Sequence, residues 1–248
     1  MPRSDLETFA RNGVLIAGGA CAILLQVADP VVGGAVARHS DFAHRPLDRL
    51  RNTLTFVYAV VLGTPEEAAR VAGHVDRAHA GIEGARDARH QRWVAATLYD
   101  TAIRTHERLY GPLDPVLAER VLAAYAPLAT SLQVPLELWP SDRDAFAQYW
   151  RIEVAGLHVT DEARQVAHDL FHPVVAPLWL RAALPLASLV TAVLLPPDVR
   201  AAFGLPWNAA RARRADAAFR FIRVVARLAP RRLREWPARH YLGRLRSR

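Results

Sequence analysis

Residues 63–80 read Gly-Thr-Pro-Glu-Glu-Ala-Ala-Arg-Val-Ala-Gly-His-Val-Asp-Arg-Ala-His-Ala, and this stretch carries a clear helix signal. Thr64 can cap a helix, Pro65 suits the first helical position, and Glu67 completes a capping box with Thr64. Apolar residues then recur at helical spacing, at positions 71, 75, 78 and 82. The stretch therefore predicts an amphipathic helix that begins at Pro65.

Helical spacing also dominates the rest of the chain, and the alternation typical of strands is nearly absent. Caps and breakers predict further helices within 5–28 and over 46–62, 92–110, 115–132, 142–154 and 161–171. No Gly/Ser-rich linker divides these segments. We therefore predict an all-α fold, a single-domain helical bundle over residues 1–248 with a basic helical segment at 208–248.

The stretch 173–197 is strongly apolar but contains Arg181 and two internal prolines, Pro177 and Pro185. Proline and arginine both argue against a clean membrane span. A buried pair of core helices is the favoured interpretation. A re-entrant or interfacial segment is the alternative.

Positive charge is concentrated at the C-terminal end of the chain. All 32 basic residues are Arg, and 13 of them lie in 208–248 beside only Asp216 and Glu235. This segment has a net charge of +11 within a chain of +8, so residues 1–207 total −3. The segment is interpreted as an amphipathic helix with a solvated Arg face, or as a peripheral contact with anionic lipid. Because it lacks a nucleic-acid-binding module, we predict no nucleic-acid partner.

Cysteine usage and the N-terminal residues indicate the compartment. Cys21 is the single cysteine, which excludes an intrachain disulfide and a Cys-rich metal site. Charged residues precede the first apolar run, and that run is short and rich in Gly, unlike a signal peptide or a span. We expect a cytoplasmic protein, and peripheral contact of the basic segment with a membrane stays an open alternative.

Histidines are the remaining candidates for chemistry, since no phosphate-binding Gly loop, Gly-x-Ser-x-Gly elbow or His-Glu-x-x-His pair is present. Two Asp-x-x-His pairs occur, Asp41 with His44 and Asp76 with His79. A di-iron site of the helical-bundle type also needs helical Glu ligands, and none stand in suitable positions. We therefore do not favour a di-metal centre.

His79, Arg49 and Thr53 are the individual residues of interest. His79 lies one position from the apolar stripe of its helix, where a neutral imidazole can be structural or can bind a metal or haem iron. Arg49 and Thr53 are four positions apart and share a helix face. From periodicity alone, Arg49 either points inward and needs buried partners or lies outside and pairs with acids such as Asp48.

A series of short segments, taken in order, resembles one known family. It closely resembles a bacterial branch of the catalytic domain shared by the rubber oxygenases (latex-clearing proteins) and the endoplasmic-reticulum-bound oxygenase mpaB. The segments are 24–30, 39–42, 46–53, 56–58, 63–68, 75–79, 93–98, 194–197 and 203–207.

The resemblance implies a helical bundle that holds haem b, with His79 as the axial iron ligand and Arg49 and Thr53 lining the haem pocket. It implies oxidation of a small apolar, isoprenoid-like substrate by dioxygen. The alternative is a catalytically inactive protein that binds lipid or a membrane surface.

Three positions depart from the family pattern. Rubber oxygenases have a lysine where this chain has Asn52, and many relatives have a histidine where it has Asp29 or Ala95. These departures affect the expected distal chemistry more than the expected haem.

Overall fold

The computed structural model describes residues 4–247, except for the side chain of Pro46. Every regular element in this part of the chain is helical. The predicted all-α fold class is confirmed. In chain order the helices are α1 (Asp5–Ala10), α2 (Gly19–Val27), α3 (Pro30–His39), α4 (Pro46–Leu62), α5 (Pro65–His79), α6 (Ala88–Tyr110), α7 (Pro115–Tyr125), α8 (Pro127–Thr130), α9 (Arg143–Ala155), α10 (Asp161–Phe171), α11 (Leu178–Leu194), α12 (Pro197–Ala202), α13 (Ala209–Leu228), α14 (Arg231–Arg234) and α15 (Trp236–Arg246), with 3-10 turns at Gly13–Gly18 and Leu136–Leu138.

The structure contains the capping box that was predicted at the start of α5. The Thr64 hydroxyl accepts a hydrogen bond from the Glu67 N–H (3.2 Å), and the Glu67 carboxylate accepts one from the Thr64 N–H (2.9 Å). Thr160 likewise accepts from the Ala163 N–H (3.2 Å) at the start of α10. These caps satisfy N–H groups that the first turn of a helix leaves without partners.

Three predicted helices have different extents in the structure. The helix expected within 5–28 is divided, because Asn12 caps a separate 3-10 segment that precedes α2. The helix expected over 115–132 ends at Tyr125, and Pro127 starts α8 because proline cannot donate the next helical hydrogen bond. The helix expected from 92 begins instead at Ala88, where the Asp87 carboxylate caps it.

The apolar stretch 173–197 also differs from the favoured prediction. It forms one helix, α11, with Pro185 inside it, and not a buried pair. Only the second half of α11, from Val190 onward, is well buried, and most of the first half is exposed.

Helix α2 lies at the centre of the bundle and packs antiparallel on α6. The indole N–H of Trp93, early in α6, donates to the Leu25 carbonyl near the end of α2 (3.1 Å). At the other end, Gly18 lies against Thr105 near the end of α6. Helices α3, α10 and α11 cover the remaining sides of α2 and complete one core cluster.

A second core cluster forms around α4, α5 and the outer side of α6. Helices α4 and α5 pack against each other, and α7, α8 and α9 contribute to the same cluster. The basic C-terminal helices pack on this body, α13 on α6 and α11, and α15 on α4. Arg246 of α15 pairs with Glu67 (2.8 Å), which ties the C-terminal helix to the start of α5.

The close approach of α2 and α6 gives a first prediction. A Cβ at position 18 would collide with the Thr105 hydroxyl and lie 3.2 Å from the Thr101 carbonyl oxygen, whereas one at position 19 meets nothing closer than 3.9 Å. Thr105 is buried and β-branched, so it cannot easily move. We expect Gly18→Ala to destabilise the fold by about 1–3 kcal/mol in urea unfolding.

The matched control is Gly19→Ala, because both glycines have helical backbone angles. We expect this variant to be neutral or more stable by about 0.5 kcal/mol. Equal unfolding free energies for the two variants would contradict the predicted close packing.

Asp100 is a buried carboxyl in α6. It is 9% exposed, and its Oδ2 lies 3.7 Å from an Arg104 nitrogen without forming a hydrogen bond. Burial raises the pKa of Asp100 to about 7, against a partly compensating effect of Arg104. Burial and the nearby Asp100 also raise the pKa of the Cys21 thiol. Ionised Asp100 therefore destabilises the folded state.

Replacement of this carboxyl should change how stability depends on pH. Because the folded-state pKa of Asp100 is raised, the protonated carboxyl contributes to the stability of the fold. This contribution is fully present below about pH 4 and is lost as the pH rises through about 7. We expect the free energy of unfolding of Asp100→Asn, relative to that of the parent, to increase by on the order of 2–3 kcal/mol as the pH rises from about 5 to about 8. Urea unfolding at both pH values, with exposed Asp144→Asn as control, measures this; equal gains at both pH values would refute it.

Candidate functional site

Arg49 points from α4 toward the centre of the bundle. Its Nη2 donates to the side-chain oxygen of Gln26 on α2 (3.3 Å), and its Nη1 donates to the Ser40 hydroxyl just after α3 (3.4 Å). Its Nε is enclosed by protein and has no hydrogen-bond partner in the described structure. Of the two orientations open from the sequence, the structure shows the inward one.

Gln26 connects Arg49 to the long helix α6. Gln26 is 3% exposed, and its side-chain amide donates to the hydroxyl of Thr97 (3.1 Å). The Thr97 hydroxyl in turn donates to the Val94 carbonyl (2.7 Å). These hydrogen bonds join Ser40, Arg49, Gln26 and Thr97 in one line of polar groups and hold the guanidinium in place.

Sequence reasoning did not assign a role to Gln26 or Thr97. A usable signal exists for Gln26, because it is the one amide in the otherwise apolar helix α2. A buried amide requires hydrogen-bond partners, so its position indicates an internal polar contact. No pattern in the sequence identifies Thr97 or Arg49 as those partners.

The charge on Arg49 has no acidic partner within ion-pairing distance among residues 4–247. Its sequence neighbour Asp48 binds Arg45 (2.5 Å) and Arg51 (2.6 Å) on the outer side of α4 instead. Burial lowers the pKa of Arg49 to about 10, so the group stays protonated at neutral pH. A partly buried cation held only by neutral groups is unfavourable and attracts an anion.

His79 is the last residue of α5 and is half-buried. Its Nδ1 is enclosed without a partner, and the ring makes no hydrogen bond within the described residues. Burial lowers the pKa of His79, and the charge of Arg49 lowers it further, against the opposing effect of Asp76. The imidazole is therefore neutral at physiological pH, the form that binds a metal.

The structure thus places His79 within electrostatic reach of Arg49, through the packing of α4 on α5. Thr53 lies one turn after Arg49 on α4 and is half-buried. Its hydroxyl makes no hydrogen bond within residues 4–247. Of the three predicted residues, Arg49 and His79 are therefore linked by an electrostatic effect, not by a hydrogen bond.

The departures from the family pattern lie at ordinary structural positions. Asp29 caps α3, where one carboxylate oxygen accepts from the N–H groups of Val31 (2.9 Å) and Val32 (3.0 Å). Asn52 is exposed on α4, and Ala95 is buried in the second core cluster. None of the three contacts Arg49 through a hydrogen bond or an ion pair.

An open groove of about 440 Å³ runs along α5 from Pro65 to Asp76. One wall consists of small and apolar residues, and the far end is polar. Asp76 is the last residue of α5 that lines the groove, one turn before His79. Its carboxylate accepts hydrogen bonds from Arg86 (2.8 Å) and Gln133 (2.7 Å). The lining residues are Pro65, Ala68, Ala69, Ala72, Gly73, Asp76, Ser131 and Gln133.

The fold and site define a helical domain in which the charge of Arg49, a cation without an acidic partner among residues 4–247, acts on His79, an imidazole whose Nδ1 has no hydrogen-bond partner there. Residues 6–226 match the family described as the catalytic domain of the ER-bound oxygenase mpaB/B' and rubber oxygenase, and the chain belongs to this family. This confirms the resemblance found in the sequence.

Two mycobacterial proteins are similar to the chain over almost its whole length. They are the uncharacterized proteins Rv2237 of Mycobacterium tuberculosis and Mb2261 of Mycobacterium bovis. Each is 33% identical over 243 residues, which cover 92% of this chain and 95% of the relative. No solved structure matches the chain significantly.

The electrostatic contact between Arg49 and His79 gives the next prediction. Because the Arg49 charge lowers the pKa of His79, Arg49→Met should raise that pKa in an NMR titration of the imidazole. Arg49→Lys retains a positive charge, so the pKa should stay lowered.

Arg51→Met is the matched control, since Arg51 lies on the same helix but is exposed and pairs with Asp48. We expect this variant to leave the His79 titration unchanged. An unchanged titration in Arg49→Met as well would show that the two side chains are not electrostatically coupled.

Proposed function

We propose that the protein is a haem b-dependent oxygenase that uses dioxygen to oxidise a small apolar, isoprenoid-like substrate. Family membership supports oxygenase chemistry. The observation that carries the haem assignment is the pair formed by His79, a neutral imidazole without a partner, and Arg49, a cation without an anion.

His79 fits the role of axial iron ligand. Haem iron in helical proteins is commonly held by one histidine, so no cluster of several ligating side chains is needed. Burial and Arg49 keep the His79 ring unprotonated, so a lone pair is available without loss of a proton. His79 is the last residue of α5, the helix that packs against α4, which carries Arg49.

Arg49 fits the role of an anion partner at the same site. Haem b carries carboxylate side chains, and an arginine fork binds carboxylates through paired hydrogen bonds. The Nε of Arg49 has no present partner, so it is free to donate such a bond. Gln26 and Ser40 hold the other nitrogens, and Thr53 would line the pocket one turn further along α4.

Haem b supplies the dioxygen and electron-transfer chemistry that amino-acid side chains lack. The protein residues bind and orient the group and set the local charge. The line from Arg49 through Gln26 to Thr97 holds the guanidinium in place, so that its charge need not reorganise during the reaction. An apolar substrate agrees with a family of oxygenases whose named member acts on rubber.

The visible absorption spectrum of the protein reconstituted with haem tests this proposal. We expect the parent protein to show a Soret band and His79→Ala to lack it. The apparent haem affinity of this variant should fall by more than the roughly 10–100-fold that is typical when a residue around a metal ligand is changed. His74→Ala is the matched control, since His74 lies on the same helix but is exposed. Arg49→Met should weaken binding without removing the iron ligand.

Two results would refute the assignment. A Soret band that survives in His79→Ala would move the ligand to another histidine. A parent protein that takes up no haem would favour the alternative of a lipid- or membrane-surface-binding protein without catalysis. Dioxygen consumption with prenyl substrates would then test the reaction itself.

A further inference from the structure

A large apolar surface is exposed on the first half of α11 and the residues before it. Leu178 is 82% and Trp179 is 63% exposed, and Val174 and Val175 are also exposed. A large contiguous apolar surface is unusual on a monomeric protein and marks an interaction site.

The second half of α13 carries a matching apolar surface. Phe221 and Leu228 are 64% and 79% exposed, and Val224 and Val225 lie between them. The spacing of these four residues is i, i+3, i+4 and i+7, so they share one helix face. Helices α11 and α13 pack against each other.

Contacts place the first half of α11 at the end of the bundle where α2 begins. The Val175 N–H donates to the carbonyl of Ala43, in the loop that leads into α4 (3.1 Å). Leu50, early in α4, lies beside Gly19, the first residue of α2. The exposed residues that start α11 therefore lie near the N-terminus of α2.

Contacts place the second half of α13 at the same end. Arg223 donates to the carbonyl of Arg108 near the end of α6 (3.2 Å), and α6 reaches the start of α2 at Thr105. Gly13, just before α2, lies against the carbonyl of Arg234. We name this surface the end patch: its residues are Val174, Val175, Leu178, Trp179, Phe221, Val224, Val225, Leu228, Leu233 and Trp236, all exposed.

Exposed arginines accompany the end patch along the sequence. Arg220, Arg227 and Arg232 each stand beside one of its apolar residues, and Arg181 lies within α11. These four side chains have no carboxylate within ion-pairing distance in the part of the chain that the structure describes. The two acidic residues of the segment 208–248 form ion pairs with other arginines, Asp216 with Arg108 and Glu235 with Arg231.

We propose that the end patch docks the protein on an anionic membrane surface. Tryptophan and leucine side chains enter the boundary between head groups and acyl chains, and arginines beside them bind anionic head groups. A second copy of the chain fits less well, because two end patches would bring unpaired arginines of the same sign together. The inference does not depend on the proposed haem chemistry.

The helices between residues 4 and 247 include none that alone has the length and hydropathy of a membrane span. The pair Gly13–Val27 and Pro30–His39, bent by 112°, meets those criteria only when taken together.

Vesicle flotation of the full chain tests the proposal. We expect flotation with vesicles of phosphatidylcholine and phosphatidylglycerol and little with phosphatidylcholine alone, and a marked loss of binding in high salt. Leu178→Ser/Trp179→Ser should lower the partition coefficient by about tenfold or more. Arg220→Gln/Arg227→Gln should lower it by about tenfold, through charge alone.

Matched controls lie elsewhere on the surface. Leu136→Ser removes an apolar side chain of similar exposure, 68%, beyond the other end of α6, where Arg92 binds the neighbouring Leu138 carbonyl. Arg120→Gln/Arg151→Gln removes two exposed charges from α7 and α9. We expect both controls to float like the parent, and circular dichroism should show that all variants are folded.

Three results would overturn the inference. The first is a folded parent that does not float with anionic vesicles. The second is an equal loss of flotation in the end-patch variants and the controls. The third is a parent dimer that Leu178→Ser/Trp179→Ser converts to monomer, which would assign the end patch to a second copy of the chain.

Discussion

The antiparallel packing of α2 on α6 is the contact on which the rest of the bundle depends. Helix α2 is almost entirely buried, so the amide of Gln26 must find partners inside the protein. Thr97 on α6 supplies one partner and Arg49 on α4 supplies the other. One buried side chain therefore fixes how three helices meet, and the absence of a Cβ at Gly18 allows two of them to approach closely.

Asp48 and Arg49 are neighbours in the sequence with opposite surroundings. Asp48 lies on the outer side of α4 between two arginines, while Arg49 turns inward to neutral groups. An inward cation without an anion lowers the stability of the fold, and such uncompensated groups are concentrated at functional sites. The same charge suppresses protonation of His79. The two groups are therefore linked by electrostatics although no hydrogen bond joins them.

The first half of α11 and the outer face of α13 have a composition that would suit a core but lie at the surface. Their neighbours in the bundle are already packed: Val190 and Leu194 of α11 and Phe219 of α13 belong to the cluster around α2. Further apolar residues on these helices extend past that cluster. Because the adjacent arginines face solvent, this end of the molecule combines apolar area with unpaired positive charge.

The sequence by itself determined the all-α class, the family, and those helix ends that depend on residues within one turn, such as the capping box at Thr64 and the cap at Thr160. It also identified Arg49 and His79 as candidates. It did not predict the break in the first helix, the exposure of α11, the inward direction of Arg49 or its contact with Gln26. Caps and periodicity act through neighbours along the chain, whereas the direction of a side chain and its partners depend on which helices pack together. That choice follows from the burial of the whole apolar surface, so only the tertiary structure decided it.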